Sequence, residues 1–217
     1  MKKIAGIALN IALITVLAAC GKTTKGKLVN DWKVVSSFEE QEFRNANDEH
    51  TVNTLTTTDN EVTSSTFYHP PTGPEVTNSQ TGTLNAYEFL IKKDGTWSSV
   101  REIAFGSGAS SSVSRIEQSG TWSFLKKNKS DDFKKNERVH FNVLNSKEVE
   151  TSSSGGTVVS SSSAVNTYAT GEKVLVYAIK TSKKDELEIE LEKNSAFTNN
   201  SGTSTNSLIQ KLTLKGK

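Results

Sequence analysis

The stretch Glu186-Leu187-Glu188-Ile189-Glu190-Leu191-Glu192 decides the fold class of this chain. Acidic and aliphatic residues alternate along it without exception, which is the pattern of a strand with one buried face and one exposed face. A helix would spread the glutamates around its whole surface, whereas a strand places all of them on one side. The stretch therefore predicts a half-buried strand, the kind found in antiparallel sheets that cover a core on one face.

Weaker alternation of the same period recurs along most of the chain. Apolar residues alternate near residues 28–38, 87–91, 116–124, 139–143 and 208–214, and two Thr-rich runs lie at 51–57 and 62–68. Asp94-Gly95 separates two of these runs, and Asp-Gly between alternating segments is the strongest short hairpin signal. We expect an all-β protein of about 8–10 short antiparallel strands, closed as an up-and-down barrel because closure leaves no free sheet edge.

The segments between the predicted strands differ in composition. Breaker residues and long polar tracts predict loops at 39–50 (a loop or one helical turn), 69–84, 106–113, 150–172 and 194–206. The other connections are mostly short and carry most of the lysine pairs, at 58–61, 92–95, 126–137 and 182–185. Alternate connections of a meander lie at opposite ends, so we expect one end with long Ser/Asn-rich loops and one tight end rich in lysine. The lysines either face an anionic membrane or keep the turns soluble.

The N-terminus has the order of an export signal. Lys2 and Lys3 precede the apolar run 4–17, which leads into Leu17-Ala18-Ala19-Cys20. This order matches the charged, apolar and small-residue regions of a secretory signal. The last four residues resemble the lipobox of bacterial lipoproteins, which implies that the Cys20 thiol takes a diacylglycerol and that cleavage leaves Cys20 first. The alternative is a short membrane helix with an incidental cysteine, but a span needs about 20 apolar residues.

These signals divide the chain into a signal peptide at 1–19, a lipidated Cys20 with a flexible tether through 26, and one β-barrel domain at 27–217. Without Lys2 and Lys3 the body is neutral overall, since 24 of the 26 basic residues remain against 24 acidic ones. Neutrality argues against a nucleic-acid partner, because such a domain carries a basic surplus. Cys20 is the only cysteine, so the body has no disulfide.

Four motifs in the body resemble the lipocalin-like lipoproteins of bacteria. They are Leu28-Val29-Asn30-Asp31-Trp32, Lys93-Asp94-Gly95-Thr96-Trp97, Ser119-Gly120-Thr121-Trp122 and Asp185-Glu186-Leu187-Glu188-Ile189. The resemblance implies a lipocalin-like barrel, lipid-anchored in the outer membrane of the bacterial cell envelope. No acidic cluster follows Cys20, and this absence favours the periplasmic face.

Aromatic residues are the sharpest candidates for a binding site. A barrel of about eight strands holds one small ligand or fills with its own side chains. If a cavity exists, Trp97 and Trp122, together with Phe89 and Ile116, line it and contact a small apolar ligand. The alternative is that these residues are ordinary core. Trp32 is expected to plug the closed end.

The sequence contains no catalytic or metal-binding pattern. His50, His69 and His140 are far apart, and His140 alternates with apolar neighbours, so it faces away from their side. Asp131-Asp132 lies among lysines without the alternating oxygen ligands of a calcium loop. We therefore expect a non-enzymatic protein without cofactor or metal.

Two functions follow from these expectations. The first is a lipid-anchored barrel that binds a small apolar or amphipathic molecule. The second is a structural or assembly lipoprotein that binds another envelope protein and no small ligand. A cavity favours the first, and an exposed apolar patch favours the second.

Overall fold

A computed structural model of the chain describes residues 23–107, 109–127, 136–199 and 202–217. The described residues form one short helix, α1 (Thr24–Leu28), and eleven antiparallel strands. The strands are β1 (Asn30–Arg44), β2 (His50–Thr58), β3 (Glu61–His69), β4 (Val76–Ile91), β5 (Thr96–Ser107), β6 (Ser110–Leu125), β7 (Glu137–Ser154), β8 (Thr157–Thr167), β9 (Val174–Ser182), β10 (Glu186–Asn199) and β11 (Gly202–Gly216). The predicted signal peptide, Cys20 and Asp131-Asp132 lie outside the described residues.

The strands close into one antiparallel barrel. Neighbours follow the order β6-β5-β4-β3-β2-β1-β11-β10-β9-β7, and β6 pairs with β7 to complete a ring of ten strands, with β8 added beside β7. At residues 30–33 of β1, the ring shortens to eight strands because β1 pairs directly with β4, Trp32 lying opposite Phe89. The β2–β3 hairpin is thus inserted between β1 and β4 over only part of their length. The predicted all-β up-and-down barrel is confirmed.

The two ends of the barrel are built differently. We call the end with α1 and the direct β1–β4 pairing the closed end. At the opposite end, which we call the open end, β8 pairs with residues 145–154 of β7, while β9 pairs with residues 137–142. β9 also pairs with β10 through Leu187 to Glu190, but β8 has no pairing with β10 among the described residues. The ring is therefore interrupted between β8 and β10 at the open end.

Helix α1 covers the closed end of the barrel. The Thr23 side chain accepts a hydrogen bond from the Gly26 backbone N–H and caps the helix. Lys27 donates to the Ser182 carbonyl at 3.2 Å, which ties the helix to the end of β9. Leu28 is fully buried, and its carbonyl accepts the Trp32 indole N–H at 2.9 Å. Trp32 is therefore buried with its one polar atom satisfied.

An aromatic core fills the closed end. Trp97 packs with its ring centroid 4.7 Å from that of Phe141, and Phe89 stacks on Trp97 at 6.2 Å. Aliphatic side chains from β10, including Leu187 and Ile189, are also buried there. Each large buried side chain contributes about 1.5–3 kcal/mol through removal of apolar surface from water. With no disulfide in the described residues, this core is the main source of stability.

A glycine permits the β6–β7 seam to close. The register of these strands shifts between Ser119 and Gly120, which marks a bulge. A Cβ atom at Gly120 would lie 1.9 Å from the Asn142 carbonyl oxygen, so only glycine allows this approach of the two backbones. Gly95 lies in the β4–β5 turn with a φ of +86°. This left-handed backbone conformation favours glycine.

The predicted long loops are wrong. Residues 39–44, 76–84, 150–154, 157–167, 194–199 and 202–206 all belong to strands. Residues 106–107 and 110–113 are also strand, and the predicted charged loop or helical turn at 39–50 is largely the second half of β1. Hydroxyl and amide side chains pair across neighbouring strands, as Thr54 does with Ser65 at 2.6 Å and Thr66 with Asn53 at 2.8 Å. These bonds and the backbone ladder extend the sheet where apolar alternation is absent.

Candidate functional site

Polar side chains occupy the interior of the barrel above the aromatic core. Five residues meet there, one each from β1, β4, β5, β9 and β11: Glu39, Tyr87, Arg101, Tyr177 and Gln210, which we call the polar cluster. Cross-strand register brings them together, since Tyr87 lies opposite Arg101 on the neighbouring strand and Glu39 lies opposite Gln210. Inward positions of a barrel normally hold apolar side chains, so this layer differs from the one beneath it.

Hydrogen bonds link all five members of the polar cluster. Arg101 Nη1 donates to Glu39 Oε2 at 3.1 Å, and Gln210 Nε2 donates to the same oxygen at 2.9 Å. The Gln210 amide also donates to the Tyr87 hydroxyl oxygen at 3.3 Å and accepts from the Tyr177 hydroxyl. Among the described residues, the hydroxyl hydrogen of Tyr87 has no acceptor. The cluster thus offers an unused donor.

Burial and neighbouring charges shift the pKa values of three residues in the polar cluster. Burial raises the pKa of Tyr87 to about 12, with Arg101 opposing and Glu39 reinforcing the shift. Burial also raises the pKa of Tyr177 well above its ordinary value. For Arg101, burial opposes the charge, but its neighbours Tyr87 and Glu39 raise its pKa overall. Both tyrosines are therefore neutral donors, and Arg101 is a cation already matched by one carboxylate.

Apolar side chains border the polar cluster. Leu55 lies opposite Glu39, and Ile116 lies opposite Arg101, so both point inward at the level of the cluster. Leu208 and Phe105, further toward the open end, are partly buried against the core. We call these four residues the apolar collar. A polar floor within an apolar collar suits an amphipathic molecule, whose head group and chain need both surfaces.

Beyond the apolar collar, the interior becomes a polar trough. Glu148 and Glu150 line a depression of about 300 Å³ together with three small residues of β8. Ser114 lies opposite Glu150 across the β6–β7 pair, which places both on the inner face. The inner wall at the open end is therefore hydroxyl-rich and partly acidic.

A separate groove of about 510 Å³ lies on the outer face of the sheet. Its lining includes Leu90, Val100 and Val165, with Glu88 and Lys147 nearby. Leu90 is 37% exposed and Val165 is 69% exposed, so apolar side chains lie open to solvent beside charged ones in this groove. The groove is shallow and has mixed charge, so it fits a protein segment better than a small ligand.

The structure brings Trp97 and Phe89, two of the four residues suggested as a ligand site, into contact in the core. Trp97 and Phe89 are 2% and 5% exposed and fill the core against one another. Trp122 is also buried, with its indole N–H donating to the Lys92 carbonyl at 2.8 Å. Of the four suggested residues, Ile116 alone belongs to the apolar collar. The ligand role of all four stays a prediction.

Sequence reasoning missed the polar cluster. Arg101 occupies an inward position between Ser99 and Ile103, so a strict apolar alternation does not mark it. The sequence predicts a charged connection at 39–50, whereas Glu39 belongs to β1. Glu39 and Arg101 lie on β1 and β5, which are not neighbouring strands, so no local sequence pattern could pair them.

The histidines have ordinary partners. His50 and His69, far apart in sequence, lie opposite one another on β2 and β3. Each contacts its own carboxylate at 3.0 Å, Glu42 for His50 and Glu75 for His69. His140 lies 3.3 Å from the Ser123 hydroxyl, on the opposite side from the buried Val139 and Phe141. Within the part of the chain that the structure describes, no group of three or more ligating side chains can hold a metal ion.

Comparison with protein-family models, with curated proteins and with solved structures finds no match for this chain. The described residues contain no helix that is long and apolar enough to cross a membrane. The strand pairing shows a closed antiparallel β-barrel, which could hold a ligand.

Proposed function

We propose that this protein is a lipid-anchored, non-enzymatic, lipocalin-like binding protein of the bacterial cell envelope. Its ligand is a small amphipathic molecule that enters through the open end. The head group lies on the polar cluster and the apolar chain lies against the collar. The observation that carries the proposal is the hydrogen-bonded layer of polar side chains inside the barrel, in which Tyr87 and Tyr177 are buried and Glu39, Arg101 and Gln210 are half-buried.

The charges of the cluster favour an uncharged head group. Arg101 is already neutralised by Glu39, so a ligand carboxylate would gain little from Arg101 and would be repelled by Glu39. The Tyr87 O–H and the remaining Arg101 N–H groups are donors, which require an acceptor such as an ester or hydroxyl oxygen. Glu148 and Glu150 line the trough and further disfavour an anion. The preferred ligand class is thus a neutral amphiphile.

Calorimetric titration of the protein from Gly21 onward tests this with matched twelve-carbon probes: monolauroylglycerol, dodecanoate and dodecyltrimethylammonium. We expect the monoacylglycerol to bind most tightly. Arg101→Gln should weaken that binding at least tenfold, because a hydrogen bond to a charged group is worth about 1.5–3 kcal/mol. Binding of the monoacylglycerol that is unchanged in Arg101→Gln would place the ligand elsewhere.

Two further variants sharpen the experiment. Arg115→Gln is the matched control, because Arg115 forms its ion pairs with Glu102 and Glu117 on the outer face of the sheet. Glu39→Gln leaves Arg101 without its carboxylate and should shift the preference toward dodecanoate. A preference that stays the same in Glu39→Gln would show that the cluster does not select the head group.

Lipidation of Cys20 is the second part of the proposal. α1 begins at Thr24 and packs at the closed end, so the preceding tether leaves the barrel there. The described lysines of the closed-end turns and of α1 surround this point: Lys25, Lys27, Lys92, Lys93, Lys126, Lys127, Lys183 and Lys184. Near an anionic surface each contributes about 1 kcal/mol. We propose that the closed end faces the outer membrane from the periplasmic side.

Mass spectrometry of the protein from its bacterial host tests the anchor. We expect an N-terminal Cys20 carrying a diacylglycerol and an acyl chain such as palmitate, and no lipid on Cys20→Ala. An unmodified chain that retains residues 1–19 would contradict this part. Outer-membrane and inner-membrane fractions then report the location.

A structural or assembly role is the second candidate. The outer groove with Leu90 and Val165 favours it, because exposed apolar residues beside charged ones suit a protein partner. Crosslinking from Leu90 to an envelope protein, with no binding of the amphiphile probes, would favour this candidate over the first.

A further inference from the structure

Strand β8 is an unprotected sheet edge. It pairs with β7 on one side and has no strand on its other side among the described residues. All eleven of its residues are exposed, including Val159 at 63% and Val165 at 69%. Natural sheets protect such edges with charges or prolines, and β8 has neither between Thr157 and Thr167. A row of free backbone N–H and C=O groups therefore faces solvent.

The sequence of β8 is symmetric about Ser162. Residues 159–165 read Val-Ser-Ser-Ser-Ser-Ala-Val, which is the same in both directions except for one exchange of Ser and Ala. An antiparallel copy centred on Ser162 would place Val159 opposite Val165 twice, and Ser162 opposite itself. A two-fold interface needs a surface that complements itself, and this strand has that property.

The geometry of β8 agrees with this pairing. The β7–β8 register shifts only near Val158, so residues 160–167 follow a regular alternation. Val165 lies opposite Lys147, on the outer face, and Val159 is the extra residue of the bulge between Val158 and Ser160. β8 contains no charged side chain, so no like charges would face each other between the two copies of the strand. The free edge of β10 differs, because it carries Glu192 and Lys193.

We propose that β8 pairs antiparallel with β8 of a second copy, in register about Ser162, and forms a two-fold dimer with a continuous sheet. The two-fold axis is normal to the sheet, so the closed ends of the two barrels lie at opposite ends of the dimer. If Cys20 is lipidated as proposed above, the two lipid anchors lie at opposite ends of the dimer rather than side by side. The pairing itself does not depend on the lipid or on the amphiphile.

Disulfide trapping in the purified full chain, held in detergent, tests the register. Directly opposed residues in an antiparallel pair have Cα atoms about 4.5–5.5 Å apart, within the span of a disulfide. Ser162→Cys should therefore form a covalent dimer under mild oxidation. Ser160→Cys is the matched control: the two copies of residue 160 would be about 13 Å apart, four residues out of register. Both variants are made in the Cys20→Ala background.

Three outcomes decide the proposal. A dimer at Ser162→Cys, at least tenfold more abundant than at Ser160→Cys, supports it. Equal trapping at both positions, or a maximum at another position of β8, overturns the register. No trapping at Ser162→Cys, in a chain whose circular dichroism matches the parent, overturns self-pairing and directs attention to a different protein strand.

Charge substitutions give an independent measurement that needs no disulfide. Val165→Glu alone should lower the dimer fraction in sedimentation at least tenfold, because it places a carboxylate against Val159 of the other copy. Val159→Lys combined with Val165→Glu should restore the dimer, since each lysine then opposes a glutamate. Failure of the combined variant to recover, with both variants folded, would contradict the predicted pairing of these two positions.

Discussion

The closed end and the open end of this barrel use the same strands in opposite ways. At the closed end, large apolar side chains, including Trp32 and Phe141, are buried, and the ring contains eight strands. At the open end, the inward positions are mostly Ser, Thr and charged residues, and the ring is interrupted beside β8. Backbone hydrogen bonds between strands therefore extend the sheet at the open end without an apolar core. The ring of strands closes only where the aromatic core lies.

Two phenylalanines give the sharpest test of this comparison. Phe141 is 0% exposed at the closed end, whereas Phe43 faces the interior of the open end and is 42% exposed. Phe141→Ala should cost about 3–5 kcal/mol of unfolding free energy through lost burial and a cavity. Phe43→Ala should change it by less than about 0.5 kcal/mol. Urea unfolding of both variants measures the difference, and equal losses would show that the open end contributes a core of its own.

Gly120 tests whether closure itself stabilises the fold. A methyl group there meets the Asn142 carbonyl oxygen at 1.9 Å, so Gly120→Ala forces the β6–β7 seam apart. We expect a loss of about 3 kcal/mol, at the upper range of overpacking in well-packed sites. Ser123→Ala, on the exposed side of the same strand, is the control. Thermal unfolding with little change in Gly120→Ala would indicate that the seam can open without loss of the core.

The tyrosines at the boundary between the two ends predict an alkaline transition. The folded-state pKa of Tyr87 is raised to about 12, above the ordinary value near 10, so the folded state keeps a proton that the unfolded state loses. Stability is therefore fully present below pH 10 and declines as the pH rises toward 12. One pKa unit corresponds to about 1.4 kcal/mol, so Tyr87 accounts for a loss of about 3 kcal/mol. Tyr87→Phe should flatten the stability curve between these pH values; an unchanged slope would contradict the burial argument.

A buried hydroxyl pair gives a further, smaller predicted loss of stability. Ser37 Oγ and Thr57 Oγ1 lie 2.8 Å apart, and both residues are buried. Thr57→Val leaves the Ser37 hydroxyl without that partner and should cost about 1–3 kcal/mol. Combining Ser37→Ala with Thr57→Val removes both polar groups and should recover most of the loss. Chemical denaturation of the single and double variants forms a double-mutant cycle, and additive losses would show that the two hydroxyls do not depend on each other.

The sequence predicted the strands that carry apolar alternation. Leu187, Ile189 and Leu191 are buried as the alternating stretch requires, and Asp94-Gly95 forms the hairpin turn between β4 and β5. The two Thr-rich runs at 51–57 and 62–68 are strands as predicted, but the Ser-rich segment of β8 is a strand where the sequence predicts a loop. Their extended state comes from backbone pairing with a neighbouring strand, and a neighbour far away in sequence leaves no mark on local composition.

Composition and periodicity alone predicted an all-β barrel with apolar strands around one core. They could do so because the preference of a side chain for water or for the interior is a property of that residue itself. Only the tertiary structure decided that β1 joins β4 at the closed end, that the ring is interrupted beside β8, and that Arg101 meets Glu39 and Gln210 inside the barrel. These features depend on strand register, and register is set by pairing between distant segments whose side chains become neighbours only when the sheet has formed.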